Sequence, residues 1–282
     1  MALSSPRLIR RLRFLHIPRT AGTTFTQILL RQYRGKARFQ FTGEIGDDVR
    51  RYNDLSESER ENVFLFIGHA PIATGVPAAD GATVITFLRD PIARVRSFCQ
   101  HVYAGKVLYL RDEFPPESFD LGRFLRSGKG ELSNLQTKML INRGVVGSPY
   151  LIEKMSASGA RDLALENLLH RIAGYGLQER FDESVIAFSA MLNWSIPVYV
   201  SVNRSASSGR LEFEPRHLEQ IAALNAIDAE VYETAKVRFA NAQRDRRFIQ
   251  GRLAMFRLIR RLFAARVSAA SRIRGRTPSD GR

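Results

Sequence analysis

A single cysteine, Cys99, stands in the 282 residues. One thiol excludes an internal disulfide and gives no basis for a multi-cysteine metal site. Long apolar runs are missing as well: no stretch approaches the ~18 residues of a membrane span. Arg7, Arg10, Arg11 and Arg13 crowd the N-terminus, but the apolar segment of a secretion signal does not follow them. No acidic cluster has metal-ligand spacing, so no metal is expected. These absences point to a soluble, cytoplasmic protein. Charge is plentiful but lopsided. Of a net charge of +15, residues 244–282 carry +10, from twelve arginines against Asp245 and Asp280, and the first 243 residues carry +5. The basic balance therefore describes a tail and says little about the ligand of the main domain.

What is present reads as one α/β domain over residues 1–243, followed by a basic amphipathic tail over 244–282. Arg11 to Ile17 has the near-continuous apolar run of a strand buried on both faces (Leu12, Phe14, Leu15, Ile17). Pro18 ends it, and residues 24–33 have helical spacing. Val63 to Ile67 and Thr83 to Leu88 are two more apolar strand candidates; Pro91 then opens a helix at a position that tolerates it. Strand, loop and helix repeat in this way, which predicts a parallel β-sheet flanked by helices. Residues 105–130 read as an insertion over one face of the sheet. Helices are expected at 133–141, at 161–172 and from Asp182. Short strands are expected at 175–177 and 197–202, and one long amphipathic helix at 215–239.

Two segments carry chemistry. In His16-Ile17-Pro18-Arg19-Thr20-Ala21-Gly22-Thr23-Thr24 a strand runs through small residues straight into a helix. The first amides of a helix have no internal partner and face the positive end of its dipole, so such a loop can hold an anion. Ala21 and Gly22 let a phosphate approach closely, Thr20, Thr23 and Thr24 offer hydroxyls, and Arg19 offers a two-pronged charge. The loop is P-loop-like in logic, yet it lacks the Gly-Lys-Ser/Thr ending that holds a β,γ-phosphate and magnesium. A strand-to-helix turn with threonine caps is the plainer reading of the same residues. The second segment is Arg89-Asp90-Pro91-Ile92-Ala93-Arg94-Val95-Arg96-Ser97, with Arg89 at a strand end and Ser97 two turns into the next helix.

Together the two segments resemble the phosphate loops of the carbohydrate sulfotransferases, of the heparan sulfate 2-O-sulfotransferase-like, bacterial type. The family's first motif is usually His-Ile-Pro-Lys-Thr-Ala-Gly-Thr-Ser/Thr, and its second is Arg-Asp-Pro-x-x-Arg-x-x-Ser. Weaker echoes lie at 66–69, 134–137, 176–184 and 228–239, so the resemblance covers about residues 11–240. It implies a sulfotransferase fold and 3′-phosphoadenosine-5′-phosphosulfate (PAPS) as donor. A sulfuryl group would pass by in-line displacement to a hydroxyl of a glycan or glycolipid. It also implies that residues 19–24 hold the 5′-phosphosulfate, that Arg89 and Ser97 hold the 3′-phosphate, and that Arg204 and Arg210 lie in the loop closing over the nucleotide. That loop reads equally as a solvated linker.

For the base, the resemblance points to His69, which follows a strand candidate at Gly68; histidine as a residue type titrates near pH ~6.5, suited to that role. Glu44 or Asp47 could serve instead. His16 reads as structural and His101 as deep in a helix. Arg19 departs from the family's lysine: it keeps the charge but is a poor proton donor, so charge stabilisation is expected from it rather than acid assistance. The tail, with Phe248, Leu253, Phe256, Ile259, Leu262, Phe263 and Val267 among its arginines, could lie on an anionic membrane surface, at the inner face, near a lipid-linked sugar. Two other classes stay open. One is a P-loop-like kinase or ATPase, against which the missing Gly-Lys-Ser/Thr counts. The other is a non-catalytic nucleotide- or nucleic-acid-binding protein, although no specific nucleic acid is expected because the charge sits in the tail.

Overall fold

A computed structural model describes residues 10–142, 151–195, 197, 199, 209–244, 251, 253–256 and 258. Its five strands are Leu12–Leu15 (β1), Ala37–Phe41 (β2), Val63–Gly68 (β3), Thr83–Leu88 (β4) and Gly174–Leu177 (β5). They form a parallel sheet in the order β2-β3-β1-β4-β5. The early α-helices are Gly22–Gln32 (α1), Ile45–Asn53 (α2), Glu57–Asn62 (α3), Pro77–Asp80 (α4) and Pro91–Tyr103 (α5). Then come Leu121–Leu125 (α6), Leu135–Ile141 (α7), Ala157–Glu166 (α8), Phe181–Met191 (α9), Pro215–Leu224 (α10) and Ala226–Arg244 (α11). The expected α/β architecture is therefore the observed one.

The apolar runs explain the centre of the sheet. All four β1 residues are buried, because helices cover both faces of this middle strand. That burial includes Arg13, 1% exposed. Its guanidinium escapes isolation by donating to the carbonyls of Ala70, Pro71 and Ile72 and to Asp80. Burial pushes its pKa down to about 10, against the pull of Asp80. A strand side chain thus fastens the segment that follows β3.

The structure departs from the sequence reading at β2 and in the long helix over 215–239, each for a local reason. Strand β2 was not foreseen; it is an edge strand whose Phe39 and Phe41 are buried while Arg38 and Gln40 are exposed, the alternation of a half-buried strand. The long helix expected over 215–239 breaks at Asn225, whose side-chain amide donates to the carbonyls of Leu132 and Ile221. In the strand candidate at 197–202 only 197 and 199 are described, and neither is in a strand. The insertion after α5 builds its own core on that helix, with Leu110, Phe114, Phe124 and Leu132 packed on Val95, Phe98 and Cys99.

The tail from 244 onward lies mostly outside the described residues. Phe256, within it, is fully buried in the core that also holds Phe14, Phe25 and Phe188, and stacks on Tyr199 at 5.9 Å. Among the described residues no helix is long and apolar enough to cross a membrane.

Candidate active site

The order β2-β3-β1-β4-β5 reverses direction at β1. In such sheets the crevice outside the carboxyl ends of the strands at this switch point is where ligands sit. Leu15 is in register with Gly68 of β3 and Thr86 of β4. The residues just beyond the three central strands, at 16–24, at 69 and at 89, therefore emerge along one edge. The loop after β1 turns twice through left-handed backbone, at Arg19 (φ 70) and Ala21 (φ 75), before α1 begins. No side chain caps α1, so its first amides stay available to an anion.

Two loop residues behave differently from their sequence reading. Thr20 is fully buried and its hydroxyl donates to the Ile17 carbonyl at 2.8 Å, so that proton is spent inside the loop. Gly22 makes room for an imidazole: a Cβ there would sit 1.7 Å from Nε2 of His16. Thr23 is exposed and Thr24 buried. The His16 ring stacks on Phe14 at 5.3 Å and lies 4.5 Å from the His69 ring. Burial, then the neighbouring His69 and Arg19 charges, push the His16 pKa down to about 3.

That shift has a sign. Between pH ~6.5 and about 3 the unfolded chain binds a proton at His16 that the folded chain refuses, so stability falls as the solution is acidified through this window. Unfolding free energies of His16→Phe from urea titrations are expected to fall less steeply than wild type over that range, by up to about 1.4 kcal/mol per pH unit. Parallel curves for the two proteins would refute the assignment.

Arg19, Ser97 and Arg89 do come together. Arg19 donates from Nε (3.1 Å) and from a terminal nitrogen (3.0 Å) to the Ser97 hydroxyl oxygen. Arg89 donates to the Arg19 carbonyl at 3.0 Å. Its Nε is buried and has no hydrogen-bond partner among the described residues. Both guanidinium pKa values are lowered, chiefly by burial; Arg19 is lowered further by Arg89. Two crowded, partly desolvated cations and an orphaned donor, beside an uncapped helix start, are an environment that an anion with more than one phosphate relieves. Arg210 is exposed, and Gln100 of α5 holds its neighbours Gly209 and Leu211 at 3.0 and 2.8 Å. Arg204 lies outside the described residues.

His69 is exposed at the end of β3, and its Nδ1 lies 2.9 Å from the His16 carbonyl. A carbonyl only accepts, so Nδ1 carries the proton and Nε2 presents a lone pair. The turn is tight: Gly68 has φ 130, and a Cβ there would come within 2.1 Å of the Phe41 carbonyl oxygen. The alternative bases are close by. Gly43 packs on His69, which puts Glu44 in the adjacent segment, whereas Asp47 is paired with Arg50 on the solvent side of α2. His101 was missed. It stands one helical turn after Ser97 and is half-buried, with its pKa pushed down to about 4 by burial and then by the Arg19 and Lys106 charges. The i, i+4 spacing from Ser97 was the available signal. Among the described residues no three His, Cys, Asp or Glu side chains gather as metal ligands would.

In comparison with known proteins, no family model matches the chain. Over 173 residues the chain is 27% identical to heparan-sulfate 6-O-sulfotransferase 2 of Gallus gallus, an alignment covering 54% of this chain and 43% of that protein. The match therefore spans less than half the length of the relative. Mouse sulfotransferase SULT7A1, solved in complex with PAP, aligns with a TM-score of 0.38 at 10% identity, over 79% of this chain and 74% of that one. So loose a superposition carries no argument. The sequence match bears out the resemblance to sulfotransferases; it falls on a 6-O enzyme and leaves the expected 2-O subtype unsupported.

Proposed function

We propose that this chain is a PAPS-dependent sulfotransferase acting on a glycan hydroxyl. The observation that carries the reading is the junction of the two phosphate segments, where Arg89 reaches the Arg19 carbonyl and Arg19 reaches Ser97. Residues 19–24 and the start of α1 would hold the 5′-phosphosulfate end, and Arg89 with Ser97 the 3′-phosphate. When bound, PAPS supplies the sulfuryl group and a phosphate leaving group.

The chain's own residues do the rest. His69 Nε2 takes the proton from the acceptor hydroxyl as that oxygen bonds to sulfur and the bond from sulfur to the phosphate oxygen breaks. The Nδ1–H bond to the His16 carbonyl holds the imidazole in the right tautomer and steadies the cation that forms. Arg19 and the α1 amides offset the charge that grows on the departing phosphate. A glycan acceptor follows from the name of the Gallus gallus relative. A lipid-linked sugar at a membrane has less behind it, because Phe256, one of the apolar tail residues that would face lipid, is packed into the core.

The test is calorimetric and then chemical. Purified full-length protein is expected to bind PAP at least about tenfold more tightly than AMP, which lacks the 3′-phosphate, as one well-held phosphate is worth at least ~1.4 kcal/mol. It should also move label from PAPS to heparan-type oligosaccharides. Absence of PAP binding would remove the nucleotide reading; PAP binding without transfer to any glycan would leave a binding protein.

A further inference from the structure

The grip of Arg89 has a support that no phosphate motif contains. Arg89 lies just past the end of β4, where its backbone leaves the sheet ladder and would lack partners. The side chain of Gln136, 1% exposed, takes both groups: Arg89 N–H donates to Oε1 at 2.9 Å, and Nε2 donates to the Arg89 carbonyl at 2.8 Å. Only a primary amide side chain offers a donor and an acceptor side by side in this way.

Gln136 is itself fixed from a distant part of the chain. It lies in the first turn of α7, whose amides at Gln136 and Thr137 donate to the buried Asp228 carboxylate at 3.1 and 2.7 Å. Asp228 belongs to the first turn of α11, and the α11 amides at Ile227 and Asp228 donate to Asn134 Oδ1, both at 3.1 Å. The two helices cap each other. Asn225, just before α11, closes the loop by accepting from Asn134 N–H at 3.0 Å. The buried Arg94 guanidinium faces the Asp228 charge, which partly offsets the lowering of its pKa by burial. One turn further along α11, Tyr232 donates to Glu179 at 2.8 Å, and Glu179 accepts from Asp90 N–H at 2.9 Å. Helix α11 therefore holds two consecutive residues, Arg89 and Asp90, through two separate arms.

We propose that Gln136 is a positioning residue for Arg89, through which α11 sets the recognition of the nucleotide's 3′-phosphate. This rests on the PAPS reading of the site. Gln136 touches no ligand in this account; it fixes the backbone from which the Arg89 guanidinium must reach both the Arg19 carbonyl and a phosphate oxygen. Displacing that backbone costs 3′-phosphate recognition most, and the 5′-phosphate loop at 19–24 only through the Arg89 bond to the Arg19 carbonyl.

The distinguishing measurement is the ratio of AMP to PAP dissociation constants, obtained by calorimetry on the full chain. Gln136→Met, close in volume but without either hydrogen-bonding group, is expected to weaken PAP about tenfold and AMP by about threefold or less, so the ratio falls. Tyr232→Phe, which loses one hydroxyl on the other arm, is expected to lower the ratio about threefold. A merely structural role would lower the melting temperature and leave the ratio alone. Wild-type discrimination in Gln136→Met, whatever its melting temperature, overturns the proposal. If that variant does not fold, an unchanged ratio in Tyr232→Phe overturns it instead. A wild-type protein indifferent to the 3′-phosphate would fail earlier, at the nucleotide reading itself.

Discussion

His69→Ala is expected to lower the rate of sulfuryl transfer about 10²–10⁴-fold, the usual worth of a positioned general base, while the PAP dissociation constant stays within about threefold. The separation follows from where the histidine stands. It leaves β3, whereas the candidate phosphate contacts leave β1 and β4, and among the described residues its side chain bonds to the His16 carbonyl alone. The imidazole is held from both sides: the tight Gly68 turn precedes it, and the buried Arg13 pins residues 70–72 after it. A base so fixed contributes to the chemical step without contributing to nucleotide affinity. Single-turnover transfer from labelled PAPS at saturating donor isolates that step. Glu44→Gln is the necessary companion, because Glu44 lies in the segment packed on His69. If Glu44→Gln abolished transfer and His69→Ala did not, the carboxylate would be the base. Loss of PAP binding in His69→Ala would instead place the histidine in the donor site.

What the sequence could say about this site depended on how local the cause was. Strands β1, β3 and β4 were legible because strands covered on both faces write themselves as apolar runs, and the phosphate loops follow them directly in the chain. Edge strand β2 was legible in principle, from Phe39 and Phe41 alternating with Arg38 and Gln40, but five residues are a short signal. The break at Asn225 was not legible. It is made by carbonyls at Leu132 and Ile221 and by Asn134, and the helical periodicity runs through it undisturbed. Gly22 has a structural reason that its place in the motif did not suggest. Its place in the motif suggests room for a phosphate, and the structure adds that the His16 ring needs the space a Cβ would fill. Gln136, Glu179, Asp228 and Tyr232 lie up to 143 residues from Arg89 in the chain, so no spacing rule connects them to it. The arginine-rich tail was the loudest compositional signal, yet the side chains it brings to the described core are apolar, Phe256 and Leu253.

Arg89→Met is expected to weaken PAP binding about 10²–10⁴-fold, because it removes two charge-assisted bonds of roughly 1.5–3 kcal/mol each. One is the bond an anion would make to the buried, orphaned Nε, and the other is the existing bond to the Arg19 carbonyl. The second loss spreads the damage. Arg19 holds a left-handed backbone (φ 70) that a side chain disfavours, and the Arg89 bond is part of what keeps it there. AMP binding should therefore weaken too, though by about tenfold or less, since the α1 amides remain. Arg89→Lys separates charge from shape. A lysine ammonium can satisfy a phosphate or the Arg19 carbonyl but cannot span both with a planar fork, so its affinity should fall between wild type and Arg89→Met. Calorimetry across PAP and AMP for the three proteins reads both terms. Equal loss for the two nucleotides in Arg89→Met would mean that Arg89 serves the loop alone, and the 3′-phosphate would need another partner. A selective loss for PAP, with Arg89→Lys intermediate, would fix Arg89 as the residue that tells the two nucleotides apart.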